Sequence, residues 1–585
     1  MENEGEGMEN QQVAAILSGM ADMLDIQGQD YHRVMAYRRA AETIAALGRP
    51  LAKVWQAGEL ETLPGIGKTL AAKIDELMRT GRLAAYEKLQ REVPPGVVAM
   101  LQIPDVGPRK AALFWQKLGI TSIDELEAAA RAGRLQSLPG MGARSEQKVL
   151  AGIEALRRRS ARLPLGVAWE LAYRLLLPLR ELARVVQAEP AGSLRRMRET
   201  VGDLDLLVAA EDPEPVMARF RSLPEVAEVL LSGATKTSIR TASGVQADLR
   251  VLPPSRWGTA LQYFTGSQLH NIRLRGLALE RGFSLSEYAL KRQDGSELLC
   301  ADEEAVYAAL GLPLIPPELR EDRGEIEAAL EGRLPRLIER GDLRGDFQFH
   351  TTWSDGQNSL QEMAQAARRS GLEYALVTDH SHGLGVARGL SADDLRRQRA
   401  EIEEVNRRMG GAFRLLAGVE VEVRNDGSLD LPDEALAGLD LVVAAVHSGL
   451  RQDSAQFTAR AIAAVRHPLV DILAHPSGRL IGRREGADLD MEALLRAAAE
   501  TGTAIEVNAH PDRLDLDDVH IRRAVELGVK LAISSDAHHT AGFDMLLFGV
   551  ATARRGWATA ADVLNSRSAE EVLAWSKRRR ASARS

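Results

Sequence analysis

Three rhythms of apolar and polar residues divide the chain. Up to about residue 160, apolar positions recur at three- and four-residue intervals, as in AAKIDELMRTG at 71–81, and predict amphipathic helices. Between about 165 and 320 there are strand-like segments, among them the apolar run 206–210 and the alternating VQADLRVLPP. Beyond 345, short apolar runs are mostly separated by helical patterns: YALVTDH, FRLLAGVEVEV, LDLVVAAVHSG, VDILAHPSG, TAIEVNA and VKLAISSDAHH. That order predicts a β/α barrel.

A length of 585 residues is too great for one core, and three or four domains are expected. Hydrophobic residues at 45% and charged residues at 27% are ordinary for globular protein. No run of eighteen apolar residues occurs, so no membrane span is expected. The acidic opening MENEGEGMENQQ has no apolar leader core, and the single cysteine, Cys300, cannot form an internal disulfide. A cytoplasmic protein is therefore expected. The net charge of −8 argues against a polyanionic partner only until it is resolved along the chain. Residues 11–160 hold 21 Lys and Arg against 16 Asp and Glu, an excess compatible with phosphate binding. Ten of the twelve histidines follow Gly345, which marks a boundary near 320–345 with metal chemistry beyond it.

Three copies of one segment interrupt the helical region: LPGIG at 63–67, IPDVG at 103–107 and LPGMG at 138–142. Each reads as helix, tight turn, helix. Gly65, Gly67, Gly107, Gly140 and Gly142 permit the turn, and the next helix then opens with N–H groups free to meet a phosphate. Lys68, Arg109, Lys110 and Arg144 stand just beyond, placed to add phosphate contacts. The middle copy carries Asp105 in place of the first glycine. The segments resemble helix-hairpin-helix motifs, which bind the DNA backbone without reading sequence.

In AGSLRRMRETVGDLDLLVAA, Asp203 and Asp205 are two apart, so on a strand both carboxylates face one way. Asp248, in VQADLRVLPP, supplies a third. Three carboxylates on neighbouring strands suit the divalent ions of a two-metal displacement. Asp-Leu-Asp recurs at 488–490 and 515–517, read there as helix starts or surface loops. What sets 203–205 apart is Gly192-Ser193 upstream with Arg195 and Arg196, a turn and guanidinium suited to phosphates.

Tyr263-Phe264-Thr265-Gly266-Ser267-Gln268-Leu269-His270-Asn271 follows, with Arg273 and Arg275. With these elements in order, residues 15–315 resemble the family X DNA polymerases, the polymerase beta group. The resemblance implies an α+β nucleotidyltransferase palm and gap-filling synthesis with Mg²⁺ or Mn²⁺. It assigns the ions to Asp203, Asp205 and Asp248, and the incoming triphosphate to the Gly192–Ser193 turn and Arg196. Tyr263 and Phe264, ahead of Gly266, would shape the sugar pocket; Asn271 would meet the base edge and Arg275 the template side. Animal-type members often carry Arg two residues before the third aspartate; Gln246 stands here, so the attacking aspartate is expected to lack a charged neighbour. Upstream, DYHRVMAYRRAA resembles the deoxyribose-phosphate lyase domain of the same group. There Lys73 matches the Schiff-base lysine, and His32, Arg33, Tyr37 and Arg38 would surround a 5′-phosphate.

In the C-terminal part, His380, Glu420, His447, His475, Asp536 and His538 fall at the ends of the predicted strands, where a carboxylate can bridge two ions and imidazoles complete the site. Such a cluster generates hydroxide against phosphoesters. Nearly all of 345–570 resembles the PHP (polymerase and histidinol phosphatase) domain. The resemblance adds His350 and Asp355 to the ligands and implies Mn²⁺ or Zn²⁺. The family opens with His-x-His; this chain reads Gln348-Phe349-His350. The tail KRRRASARS is expected to be basic and disordered.

The expected organisation is a helical, lyase-like DNA-end-binding domain (1–90), a helical hairpin region (91–160), a palm (161–258) and a nucleotide-selection subdomain (259–318). A linker (319–340) and a distorted β/α barrel (341–585) follow. The function read from this is a monomeric, templated, gap-filling DNA polymerase acting on gapped or nicked DNA with deoxynucleoside triphosphates. Its C-terminal phosphoesterase would act as a 3′-5′ exonuclease, abasic endonuclease or 3′-phosphatase. The rival readings are a DNA-binding repair scaffold with an active polymerase and a degenerate C-terminal domain, a template-independent nucleotidyltransferase, and a small-molecule phosphatase.

Overall fold

The structure, a computed structural model, describes residues 10–45, 51–63, 65–103, 106–160, 162–383 and 388–582. It divides into two compact units. One is Met1–Ala161 with Thr352–Gln357 and Leu384–Gly389; the other is Arg162–Thr351 with Asn358–Gly383 and Leu390–Ser585.

Every element described between 10 and 160 is helical. The amphipathic pattern does what its period requires: Leu70, Ala71, Ile74 and Leu77 of Lys68–Thr80 enter one core with Leu17, Ile44 and Phe114. The three repeats share one backbone. A 3₁₀ turn (Leu60–Thr62, Met100–Gln102, Arg134–Ser137) leads each time to a helix (Lys68–Thr80, Pro108–Leu118, Ala143–Ser160). Between turn and helix the same hydrogen bond forms, from Ile66 to Leu63 O (3.1 Å), Val106 to Ile103 O (3.0 Å) and Met141 to Leu138 O (3.1 Å). The substituted Asp105 lies outside the described residues.

In the second unit, Gln187–Pro190, Leu204–Ala209, Gln246–Leu252, Lys236–Thr241 and Val226–Ser232 form a five-stranded sheet in that order, with Leu204–Ala209 and Gln246–Leu252 parallel. Alternation sorts the strands' faces. Leu206, Val208, Ala247, Leu249 and Val251 pack under helices Leu165–Arg180 and Pro213–Arg221, while Leu207, Ala209 and Leu252 join Trp257, Ala260 and Leu261 in a second cluster. Asp205 and Asp248 share the parity of this second set. A three-stranded antiparallel sheet, Phe283–Leu285, Leu290–Arg292 and Glu297–Leu298, follows with helices Gln268–Glu280 and Glu303–Ala309.

Residues 319–340, expected as a linker, alternate exposed positions with buried ones such as Arg320, Ile326 and Leu337. Arg320 is fully buried and donates to the Ile315 carbonyl (2.8 Å) and to Glu303 (2.5 Å), while Leu337 bridges to Thr559.

The C-terminal strands, expected as a distorted barrel, form two parallel sheets. Gly345–Phe349, Tyr374–Val377 and Arg414–Ala417 make one; Glu420–Glu422, Val443–Ala445, Ile472–Leu473, Ala504–Asn508 and Leu531–Ser534 make the other. Single parallel bridges, Phe349–Ala537 and His380–Glu420, link them. The break falls between Ala417 and Glu420, at Gly418, where an added Cβ would come within 2.7 Å of Leu376. The basic tail departs from expectation. Helix Ala569–Ser582 extends into it, because the buried Asp471 draws in Arg579 (3.1 Å) and Arg580 (2.5 Å). Among the described residues, no helix is long and apolar enough to cross a membrane.

Candidate active sites

The first site grows from the parallel pair of strands. Asp205 and Asp248 are direct partners in its register, and Asp203 precedes Asp205 by two residues. Burial, with the Asp203 and Asp248 carboxylates adding to it, pushes the Asp205 carboxyl up to about 7. Such mutual repulsion is relieved by cations. Gly192 adopts φ +59°, and a Cβ there would stand 2.4 Å from Asp205 Oδ2, so only glycine lets this turn lie against the carboxylate.

Asp248 is not short of a charged neighbour, contrary to the expectation drawn from Gln246. Lys236, on the adjacent strand, brings Nζ to 2.7 Å from Oδ2, and Gln246 Nε2 donates to Oδ1 at 3.0 Å. Burial alone would raise this carboxyl; donors from Lys236, Gln246 and Ser238 outweigh it and hold it below its ordinary value.

Around the triad, Tyr263 and Phe264 meet edge to face at 5.2 Å, with the Arg250 guanidinium 4.5 Å from the Phe264 ring centre. Asn271 is turned toward the protein: its Nδ2 donates to the Tyr263 carbonyl (2.7 Å) and its Oδ1 accepts from Gln262 (2.9 Å). It thus braces the main chain at Tyr263 in this structure. Arg275 is exposed and reaches the Asn271 carbonyl at 3.3 Å. Ser193 lies in the short helix Gly192–Arg195, and Gly266, at φ +67°, is the residue that ends helix Trp257–Thr265. Arg196 donates to Glu321 (3.1 Å) and to the Thr265 carbonyl (2.5 Å).

The second site gathers around the buried Glu420. Its Oε1 faces His447 Nε2 (3.2 Å) and His475 Nε2 (3.1 Å); its Oε2 faces His380 Nδ1 (3.2 Å) and His350 Nε2 (3.5 Å). The carboxylate therefore parts four imidazoles into two pairs, the arrangement expected of a bridge between two ions. Ligand atoms of His350, His380 and His538 lie within 4.8 Å of one another, as do those of His380, Glu420 and His447. Asp536 turns Oδ1 to His350 Nε2 (3.2 Å), while Asn508 Nδ2 holds Oδ2 (3.1 Å). Two of these residues take left-handed backbone, His475 at φ +24° and Asp536 at φ +53°, strain of the kind that functional sites retain.

Gln348 is 1% exposed, and neither its Oε1 nor its Nε2 has a hydrogen-bond partner. A buried amide without partners costs free energy unless a ligand completes it, which fits a cation beside it. The carboxylates also set a negative potential here. Burial would lower His447, but Glu420 and Glu422 raise it to about 10, while these imidazoles hold Glu420 far below the usual carboxylate range against its burial. Asp355 belongs to the segment Thr352–Gln357 of the first unit, where it accepts from the Ser354 hydroxyl at 3.1 Å.

The hairpin residues lie in the first unit. Gly65 (φ +76°) and Gly140 (φ +74°) need their glycine freedom. Gly67, Gly107 and Gly142 do not, and a Cβ on any of the three would meet nothing within 4 Å. Their open sides leave room for a polymer backbone to approach the helix N-termini. Lys68 and Arg109 are exposed beside them, and Lys110 is half-buried. Lys73 is half-buried on Lys68–Thr80. Of its expected companions, Tyr37 is buried and Arg38 is bound to Asp25 (2.8 Å), whereas His32 and Arg33 are exposed.

Sequence reasoning passed over Lys236, Glu422 and Glu506. Glu422 had a signal: it is two residues from Glu420 on the same strand, and it accepts from His447 Nδ1 at 2.8 Å, which turns Nε2 toward Glu420. Glu506 accepts the His475 N–H (2.6 Å), and its burial, beside Asp536 and Glu420, raises it well above the usual range. Lys236 gave none, because its role depends on which strands pair.

Residues 8–83 match the helix-hairpin-helix domain family, 97–155 the SAM-like helix-hairpin-helix tandem family and 260–321 the DNA polymerase beta thumb family. The chain is 38% identical over 574 residues to the DNA polymerase/3'-5' exonuclease PolX of Bacillus subtilis (strain 168), covering 98% of this chain and 100% of that protein. To DNA polymerase lambda of Rattus norvegicus it is 24% identical over 341 residues, 53% of this chain and 56% of that protein. A protein named "Probable phosphatase" from Thermoanaerobacter sp. (strain X514) is 32% identical over 205 residues, 33% of this chain and 78% of that protein.

Proposed function

The chain belongs to the PolX family of DNA polymerase/3′-5′ exonucleases, and we propose that it fills gaps in DNA against a template and processes 3′ ends with its C-terminal domain. The observation that carries the polymerase reading is the pairing of Asp205 with Asp248 on adjacent parallel strands, with Asp203 two residues ahead. Divalent ions, proposed as Mg²⁺ or Mn²⁺, would lower the pKa of the attacking 3′-hydroxyl and neutralise the triphosphate. The chain's own part is to hold three carboxylates together, to offer the Gly192–Ser193 turn and Arg196 to phosphates, and to exclude a ribose 2′-hydroxyl with the Tyr263 and Phe264 rings. Lys236 orients Asp248 beside them.

In the C-terminal domain, Mn²⁺ or Zn²⁺ is the proposed ion, supplying hydroxide against a phosphoester when bound. His350, His380, Glu420, His447, His475, Asp536 and His538 would hold it, with Asp355 and the Gln348 amide as further ligands. The hairpin turns are proposed to hold the backbone of gapped or nicked DNA, and Lys73 a 5′-deoxyribose phosphate. A cytoplasmic monomer is the proposed acting form. The domain limits read from sequence are kept as proposals, with 319–340 as a connector.

The test is gapped, 5′-phosphorylated DNA labelled at its 3′ end, given Mn²⁺ and nucleotides, with wild type, Asp205→Ala and His475→Ala compared. The first variant is expected to lose extension alone, the second cleavage alone. Loss of both in either variant that still folds refutes independent chemistries, and a wild type that extends without cleaving supports the scaffold with a degenerate C-terminal domain.

A further inference from the structure

The nucleotide-binding turn is held from outside the polymerase core. After the short helix Gly192–Arg195 the backbone reverses at Met197, a buried residue at φ +53°. A left-handed methionine is strained and persists only where its surroundings fix it. One fixing contact comes from Arg555, the last residue of helix Leu546–Arg555 in the C-terminal domain. Its Nη1 donates to the Arg196 main-chain carbonyl (2.7 Å) and to Glu321 Oε1 (3.0 Å), and its Nη2 donates to Asp518 (2.7 Å). The same Glu321 oxygen accepts from Arg196 Nε at 3.1 Å. Arg555 thus grips both the backbone of Arg196 and the carboxylate that orients its side chain. With only 3% of its side chain exposed, it makes these contacts away from competing water.

We propose that Arg555 is a positioning residue for nucleotide binding: the C-terminal domain sets the arm that receives the triphosphate. The inference rests on the reading of Gly192–Arg196 as that arm. It explains why a buried guanidinium and two carboxylates are placed where an apolar contact would suffice to join the domains. The neighbouring Arg554 makes a useful contrast. It also spans the junction, through Glu318 (2.7 Å) and the Ile338 carbonyl (3.0 Å), but among the described residues it makes no hydrogen bond to the turn.

The experiment uses the full chain and single-nucleotide gap filling, with kcat and the KM for the incoming nucleotide measured separately, and single-strand exonuclease turnover as a control. Variants are Arg555→Met, Arg555→Lys, Arg554→Met and Arg196→Ala. Loss of a charge-assisted hydrogen bond predicts a KM roughly tenfold higher in Arg555→Met. A smaller rise is expected in Arg555→Lys and less than a twofold change in Arg554→Met, with exonuclease turnover kept in all three. If Arg555→Met fails to fold, shown by loss of both activities, Arg555→Lys decides: an unchanged KM overturns the inference. An equal rise in Arg554→Met overturns it too, since docking alone would then account for the effect. A normal KM in Arg196→Ala refutes the nucleotide reading, and this inference with it. A raised KM there beside a normal one in Arg555→Met overturns the inference alone.

Discussion

Replacing Asp205 with Asn is expected to stabilise the protein when divalent ions are withheld, by an amount that grows with pH. Asp205 has its carboxyl raised from its ordinary 3.8 to about 7 by burial and by Asp203 and Asp248. An acid whose pKa is raised on folding binds its proton more tightly in the folded chain than in the unfolded one. Between those two values stability therefore falls as pH rises, and above about 7 the penalty is complete. Roughly three units at about 1.36 kcal/mol each give about 4 kcal/mol at pH 8 and about 1.5 kcal/mol at pH 5. Asparagine keeps the shape and never ionises. For a cooperative unit of roughly 400 residues, with an unfolding entropy near 2.1 cal/mol/K per residue, Tm should rise by about 5 °C at pH 8 and about 2 °C at pH 5. The assay is calorimetry of both proteins in chelator across this range, repeated with excess Mg²⁺. With the ion, wild type gains binding free energy that the variant forgoes, and the order of the two Tm values narrows or reverses. A variant no more stable than wild type at pH 8 in chelator, or a gain equal at both pH values, would refute a triad strained by its own charge.

Three further outcomes follow from the geometry. Lys236→Met should lower kcat for gap filling about tenfold or more, with Lys236→Arg restoring most of it, because a charged donor and not a particular side chain steadies Asp248; single-turnover kinetics would show this, and no rescue by arginine would count against it. Glu422→Ala should weaken ion binding at the C-terminal site about 10- to 100-fold by freeing the His447 ring, read by titration calorimetry against wild type, while extension stays intact. Gln348→His should tighten ion binding at that same site, read in the same titration, and an unchanged affinity would mean that the amide does not face the ion.

Legibility in the sequence tracked how local each signal was. The hairpins could be read because each is closed by bonds within a few residues, so three similar strings give three similar turns. Asp-Leu-Asp shows the opposite case. At 203–205 it leads into the metal-type strand; at 488–490 Asp490 caps helix Met491–Thr501; at 515–517 Asp517 caps Asp518–Glu526 while Asp515 is buried against the Ser477 hydroxyl (2.9 Å). The tripeptide does not distinguish these, and only Gly192 and Ser193, brought back by the fold, do. Gln246 misled for the same reason. The missing charge comes from Lys236, on the antiparallel neighbour, and strand order is not written along the chain. The tail misled because a run of basic residues reads as solvated until a buried carboxylate such as Asp471 is known to face it.

The two proposed ligand sets occupy separate segments and, among the described residues, share no member. Their frame is another matter. Leu514, Phe548 and Ala551 of the C-terminal domain lie in the same apolar cluster as Leu171, Leu175 and Phe220 of the polymerase core. Removing a ligand costs one chemistry, because the loss is confined to atoms that touch one ion cluster. Emptying a position in the common core costs several kcal/mol that both domains must bear. The two activities are therefore separable by chemistry and inseparable by stability. A variant that loses both is evidence about the core before it is evidence about either site, which is why ligand variants must be read beside a fold control.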